Sequence, residues 1–146
     1  MPIRSIVYTL TCLLFLTACS KDQDAVDKLD GTWKLVAQEG YVNNQLDTTL
    51  STVGNVIYQF DGCSLNKNDK CTGREIQKSS IGDITTEFKY TIIEAGSQIS
   101  FDYDEQLLLD NFSGYIQELT TDRLVFEFYF GKTDPITRFI YTLERQ

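Results

Sequence analysis

The chain has 146 residues, 42% of them hydrophobic, with 13 Lys and Arg against 21 Asp and Glu, four Cys and no His; that length supports one domain with a real core and not two. The missing histidine removes the commonest general base and zinc ligand, and with them most metal-hydrolase, Ser-His and Cys-His mechanisms. A formal charge of −8 supplies no Lys/Arg stripe to displace counterions from phosphates, so nucleic acid is excluded as a partner.

Residues 1–18 read as a secretory signal. Arg4 is followed by an apolar run from Ile6 to Leu16, interrupted only by Thr9, Thr11 and Cys12, too short for the roughly 20 residues a membrane span needs. The next residues, Leu16-Thr17-Ala18-Cys19, resemble the lipobox of bacterial lipoproteins. That resemblance implies that Cys19 is acylated, palmitate-type chains included, and becomes the first residue of the mature protein. Cleavage would remove only one charge, Arg4, leaving an acidic chain that anionic head groups repel, so the anchor must be lipid rather than charge. Residues 19–29 are expected to be the lipidated Cys and a solvated, flexible tether. At about 3.3–3.6 Å per residue, its ten residues from 20 to 29 would reach roughly 35 Å. Ser20 after the Cys resembles outer-membrane lipoproteins. Lys21-Asp22 with Asp24 resembles an outward-export signal of some Gram-negative groups, so the domain is expected on the periplasmic side or at the cell surface.

From Leu29 onward the period is two, with β-branched and aromatic residues between Gly, Asn, Asp and Ser turns. Strands are predicted at 32–39, 56–61, 75–79, 85–94, 98–102, 115–120, 124–130 and 137–144. Short connections favour an antiparallel meander, and closing it removes two exposed edges. The expected fold is all-β, an eight-stranded antiparallel up-and-down barrel over residues 30–146. The segment 40–55 is long for a hairpin and is expected to fold over a barrel mouth as a lid. The leucines of 104–110 suggest a short plug or loop anchor.

Cys63 and Cys71 flank a polar loop. In an exported chain whose Cys19 is taken by lipid, a disulfide between them is the expected state, adding roughly 2–3 kcal/mol by chain entropy. A redox or metal role lacks a Cys-x-x-Cys spacing, a His or a third thiol. No cofactor or metal is expected.

Alternation selects the inner face. Phe88, Tyr90 and Ile92 share one parity, as do Ile99, Phe101 and Tyr103, and Leu124, Phe126, Phe128 and Phe130, with Glu87, Lys89, Ser100, Asp102 and Glu127 opposite. An eight-stranded interior is either filled by side chains or holds one small ligand. In the second case Tyr58, Tyr90, Tyr103 and Tyr141 would be the polar fittings, and Phe88, Phe101, Phe126 and Phe128 the walls.

Gly31-Thr32-Trp33 just after the tether, followed in order by Tyr58-Gln59-Phe60-Asp61-Gly62 and by the stretch from Ile116 to Phe126, resembles the lipocalin-like domains of Gram-negative lipoproteins. The resemblance implies an eight-stranded barrel, closed at one end by an Arg from the last strand packed across the Trp. Arg145 has the parity of Phe139, Tyr141 and Leu143 and is the expected partner of Trp33, a cation–π contact worth roughly 0.5–2 kcal/mol.

Three functional classes follow. The first is an outer-membrane-anchored lipoprotein holding a small hydrophobic or amphipathic ligand. The second is a filled barrel whose loops, chiefly 40–55 and Cys63–Cys71, dock another envelope protein. The third is a hydrolase inhibitor, or an enzyme using paired carboxylates. With no Gly-x-Ser-x-Gly elbow, Ser-x-x-Lys or phosphate loop in the chain, catalysis is not expected.

Overall fold

The computed structural model describes residues 21–49, 54–65, 69–103, 112–130 and 137–146. Cys19 with its signal, and the proposed plug at 104–110, lie outside them. The strands are β1 (Gly31–Val42), β2 (Gln45–Thr49), β3 (Val56–Phe60), β4 (Cys71–Gln77), β5 (Ile84–Ile93), β6 (Gln98–Tyr103), β7 (Phe112–Leu119), β8 (Arg123–Phe130) and β9 (Thr137–Arg145). Each pairs antiparallel with its neighbours in the order β2-β1-β3-β4-β5-β6-β7-β8-β9, and β1 also pairs with β9. The sheet is therefore a closed eight-stranded barrel in which β2 is an added strand on the upper half of β1.

The predicted inner parities hold. Phe88, Tyr90, Ile92, Ile99, Phe101, Tyr103, Leu124, Phe126 and Phe128 are buried in one core, while Glu87 and Lys89 are exposed. Burying one face of every strand fixes the register, because a slip by one residue would turn those rings to water.

Three expectations change. Residues 21–29 are not a free tether but a short helix, α1, which buries Ala25, Val26 and Leu29 in the core. Its apolar residues are spaced one helical turn apart, so one face meets the barrel. Of the segment 40–55, residues 40–49 form a strand pair and not a lid, since Tyr41 and Val42 continue β1 and a tight turn at Asn43 and Asn44, with φ of 51° and 62°, leads into β2, while residues 50–53 lie outside the described residues. Two left-handed residues in succession give a turn whose twist matches the strands it joins, and Asn tolerates that backbone. Finally, β4 starts at Cys71 rather than at residue 75.

Cys63 and Cys71 are disulfide-bonded. The loop they close braces α1, because Gln23 Nε2 donates to the Cys63 carbonyl at 2.8 Å and Gln23 Oε1 accepts from the Leu65 N–H at 2.9 Å. The disulfide loop thus lies at the end of the barrel opposite the Asn43–Asn44 turn. Among the described residues, the two loops expected to carry recognition stand at opposite ends of the barrel.

Candidate ligand site at the open mouth

The two barrel ends differ in kind. At the closed end, Trp33 is fully buried and its indole N–H donates to the Leu29 carbonyl at 2.7 Å. The Arg145 guanidinium lies 4.5 Å from the Trp33 ring, as β1–β9 pairing of these two residues requires. Arg145 Nη1 donates to the Asp30 carbonyl at 2.6 Å, and its other nitrogens reach the carbonyls of Lys28 and Thr121. One side chain so satisfies a carbonyl in the last turn of α1 and that of Asp30 just beyond it, and ties the helix end to the β7–β8 turn. Arg145→Met, which keeps length but removes the donors, should cost about 2–3 kcal/mol in urea unfolding. Arg145→Lys, with one cationic point in place of a fork, should recover less than half of that loss.

Above this seal the barrel is filled by rings. Phe60 meets Tyr90 at 5.2 Å and Phe88 at 5.7 Å, Phe88 meets Phe101 at 5.3 Å, and Phe101 meets Phe126 at 5.7 Å. Centroid spacings of this size are those of packed aromatic pairs. Gly73 is part of the fit, because a Cβ there would stand 2.6 Å from the Phe88 ring and 2.7 Å from the Gln59 carbonyl. Among the residues expected to line a ligand cavity, Phe88, Phe101 and Phe126 therefore form the packed core. Tyr90 belongs to the floor, where its hydroxyl donates to the Asp61 carbonyl at 3.0 Å. Phe128 sits at the upper edge of the core, 4.9 Å from Tyr141.

The open end is different. A cleft of about 360 Å³ enters the barrel there, bordered by Leu35, Gln38, Val56, Tyr58, Glu75 and Tyr141, with Gln77 and Lys78 at its rim. Tyr58 and Tyr141, proposed from the sequence, line it, and the Tyr103 hydroxyl approaches it by donating to Glu75 Oε2 at 3.3 Å. The other carboxylate oxygen, Oε1, accepts from Gln77 Nε2 at 2.7 Å. Burial, followed by the Glu75 charge, holds the Tyr58 and Tyr103 hydroxyls well above their ordinary pKa. The same two causes push Tyr141 up to about 12, against a hydrogen bond from Gln38 that lowers it. All three are neutral phenols at physiological pH.

Glu75 and Gln38 were missed in the sequence, each for a local reason. Tyr58 pairs with Glu75 and Phe88 with Gly73, so Glu75 faces inward as Gly73 does; the alternation is legible only once β4 is known to begin at Cys71. Gln38 follows a bulge between Leu35 and Ala37, after which it faces Tyr141. One extra residue reverses the parity of every later position, and no residue type near Val36 announces it.

A larger depression of about 500 Å³ lies on the outer wall of β4, β5 and β6, bordered by Arg74, Glu87, Lys89 and Asp102. Its charges are of both signs, and Phe88 and Tyr103, two of the residues expected from the sequence to bind a ligand, also border it. Among the described residues no group of three or more His, Cys, Asp and Glu is placed to hold a metal.

No protein-family profile and no curated protein sequence matches the chain. Its fold, however, is similar to solved structures. Lobster apocrustacyanin A1 aligns with a TM-score of 0.55 at 12% identity, over 82% of this chain and 62% of that one. The bovine lipocalin allergen Bos d 2 aligns at 0.54 and 12%, over 83% and 75%, and an odorant-binding protein at 0.54 and 11%, over 82% and 73%. This chain thus spans under two thirds of the apocrustacyanin. At such identities what is shared is the fold, a lipocalin-type barrel.

Proposed function

We propose that this lipocalin-type barrel is anchored through an acylated Cys19 to the outer membrane and holds a small hydrophobic or amphipathic molecule in its open mouth. The observation that carries the ligand is the cleft of about 360 Å³ above a sealed aromatic floor. It falls within the size range of small-molecule sites, and its lining is mixed, with Leu35, Val56 and the tyrosine rings beside the polar groups of Gln38, Glu75 and Gln77. The odorant-binding protein among the similar structures names such a ligand class for its own barrel.

The anchor rests on the Leu16-Thr17-Ala18-Cys19 sequence. If Cys19 is lipidated, the tether is much shorter than ten residues. Helix α1 is already docked at Lys21, whose carbonyl lies beside Gly96 at the closed end, so the lipid joins the barrel within about 7 Å of chain. The closed end then faces the bilayer and the mouth points away from it.

One preparation tests both halves. From a Gram-negative envelope, the intact mass of the mature chain should exceed that of residues 19–146 by a set of acyl chains, and the organic extract should contain a stoichiometric small molecule. That molecule should be lost from Tyr58→Ala and Tyr141→Ala, which open the cleft. Tyr90→Phe should keep it, since Tyr90 lies in the floor. A clean extract would overturn the ligand reading and favour docking of an envelope protein at the rim, where Ile81 is 97% exposed and Leu46 is 56% exposed.

A further inference from the structure

The charged group facing into the mouth is an acid, and the cation that borders it, Lys78, stands at the rim. Glu75 is an inward-facing carboxylate on β4, beside Tyr58 on β3, and the groups that hydrogen-bond it, Tyr103, Gln77 and Tyr58, are all neutral. A carboxylate has about four acceptor positions, so these three protein donors leave it room for one more. No Lys or Arg among the described residues forms an ion pair with it; the ion pairs found there are Lys70–Asp102, Arg123–Glu118 and Arg138–Glu127. Lys78 borders the same cleft at the rim, exposed and without an ion pair to Glu75. The walls below and beside Glu75 are Leu35, Val56 and the ring of Tyr58. Glu75 is partly exposed in the cleft, and a cation set against a carboxylate flanked by such walls is attracted more strongly than it would be in bulk water.

We infer that the molecule held in this mouth carries a cationic amine head, set against the Glu75 carboxylate and among the Tyr58, Tyr103 and Tyr141 phenols, with its apolar body against Leu35 and Val56. The inference rests on the reading of the cleft as a ligand site and deepens it by naming the head group. The phenols suit the role twice over, as hydrogen-bond acceptors toward an ammonium and as rings whose faces attract cations. An anionic amphiphile such as a fatty acid would instead bring a second negative charge against Glu75.

Three probes of nearly equal shape decide it: phenethylammonium, phenethyl alcohol and hydrocinnamate, each titrated calorimetrically into the full chain with its disulfide formed. The ammonium should bind at least about tenfold more tightly than the alcohol, and hydrocinnamate should give no measurable heat. In Glu75→Gln the ammonium should weaken to the level of the alcohol while the alcohol itself keeps its affinity. Near-ultraviolet circular dichroism reads whether that variant is folded, and the rank order in the unaltered chain decides without it. Equal or tighter binding of the alcohol or of hydrocinnamate would overturn the cationic head while leaving the cleft a ligand site. Absence of binding by all three would overturn both.

Discussion

Trp33→Ala should lower the free energy of unfolding by about 3–5 kcal/mol, enough to unfold much of a marginally stable domain at 37 °C. Trp33 is the only tryptophan, it is fully buried, and two other elements, α1 and β9, close on it. Its ring fills the closed end, its N–H satisfies the carbonyl of Leu29 in α1, and its face receives Arg145. Truncation leaves a cavity, an unmet carbonyl and a guanidinium without its stacking surface. Helix α1 is then held by less than it needs, since an isolated helix of nine residues is not stable in water. Trp33→Phe, which keeps most of the volume and loses the donor, should cost about 1–3 kcal/mol. Urea unfolding followed by far-ultraviolet circular dichroism measures both. A loss below about 1 kcal/mol for the alanine variant would mean that the closed end is not organised around this ring.

The second large effect is alkaline. Tyr58, Tyr90, Tyr103 and Tyr141 all have raised pKa values, with burial as the first cause in each. Unfolded tyrosine ionises near 10, so above that pH the unfolded chain loses protons that the folded chain retains. Stability is therefore fully present below about pH 10 and is lost as pH rises through the folded values. Each tyrosine adds about 1.4 kcal/mol per pH unit to the decline, at most about 5 kcal/mol per unit for the four together. Urea midpoints should be level up to about pH 9 and fall steeply toward about pH 11, and Tyr58→Phe should make the fall shallower by one proton. A midpoint unchanged at the higher pH would show that these phenols are not held neutral by the fold.

How much of this was legible in the chain depends on whether a feature is periodic. Phe88, Tyr90 and Ile92 on β5 and Leu124, Phe126 and Phe128 on β8 repeat every second residue, and that repeat alone identifies strands, inner face and closure. Trp33 and Arg145 were legible as partners because first and last strands must meet when a meander closes, and β1 and β9 do pair at these two residues. The Cys63–Cys71 bond was legible from chemistry, through the even thiol count that remains if Cys19 is taken by lipid in a chain expected to be exported.

The site was less legible, because it depends on where the alternation breaks. Residues 21–29 have charged and polar residues at six of nine positions and read as solvated; only the barrel end supplies the surface that buries Ala25, Val26 and Leu29. Sequence parity placed Tyr90 and Tyr141 alike on the inner face, yet parity does not measure depth. Tyr90 lies on the floor against Asp61, and Tyr141 lies in the mouth.

The residues therefore specified the class of fold, its inward rings, its ring–guanidinium seal and its disulfide, since each follows from local period or from pairing rules that act at short range. Which rings fill space and which border a cleft, and that Glu75 and Gln38 join Tyr58 and Tyr141, was decided by the closed barrel. Cavity volume is a difference between the enclosed space and the side chains that fill it, and a single bulge at the start of β1 changes which side chains those are.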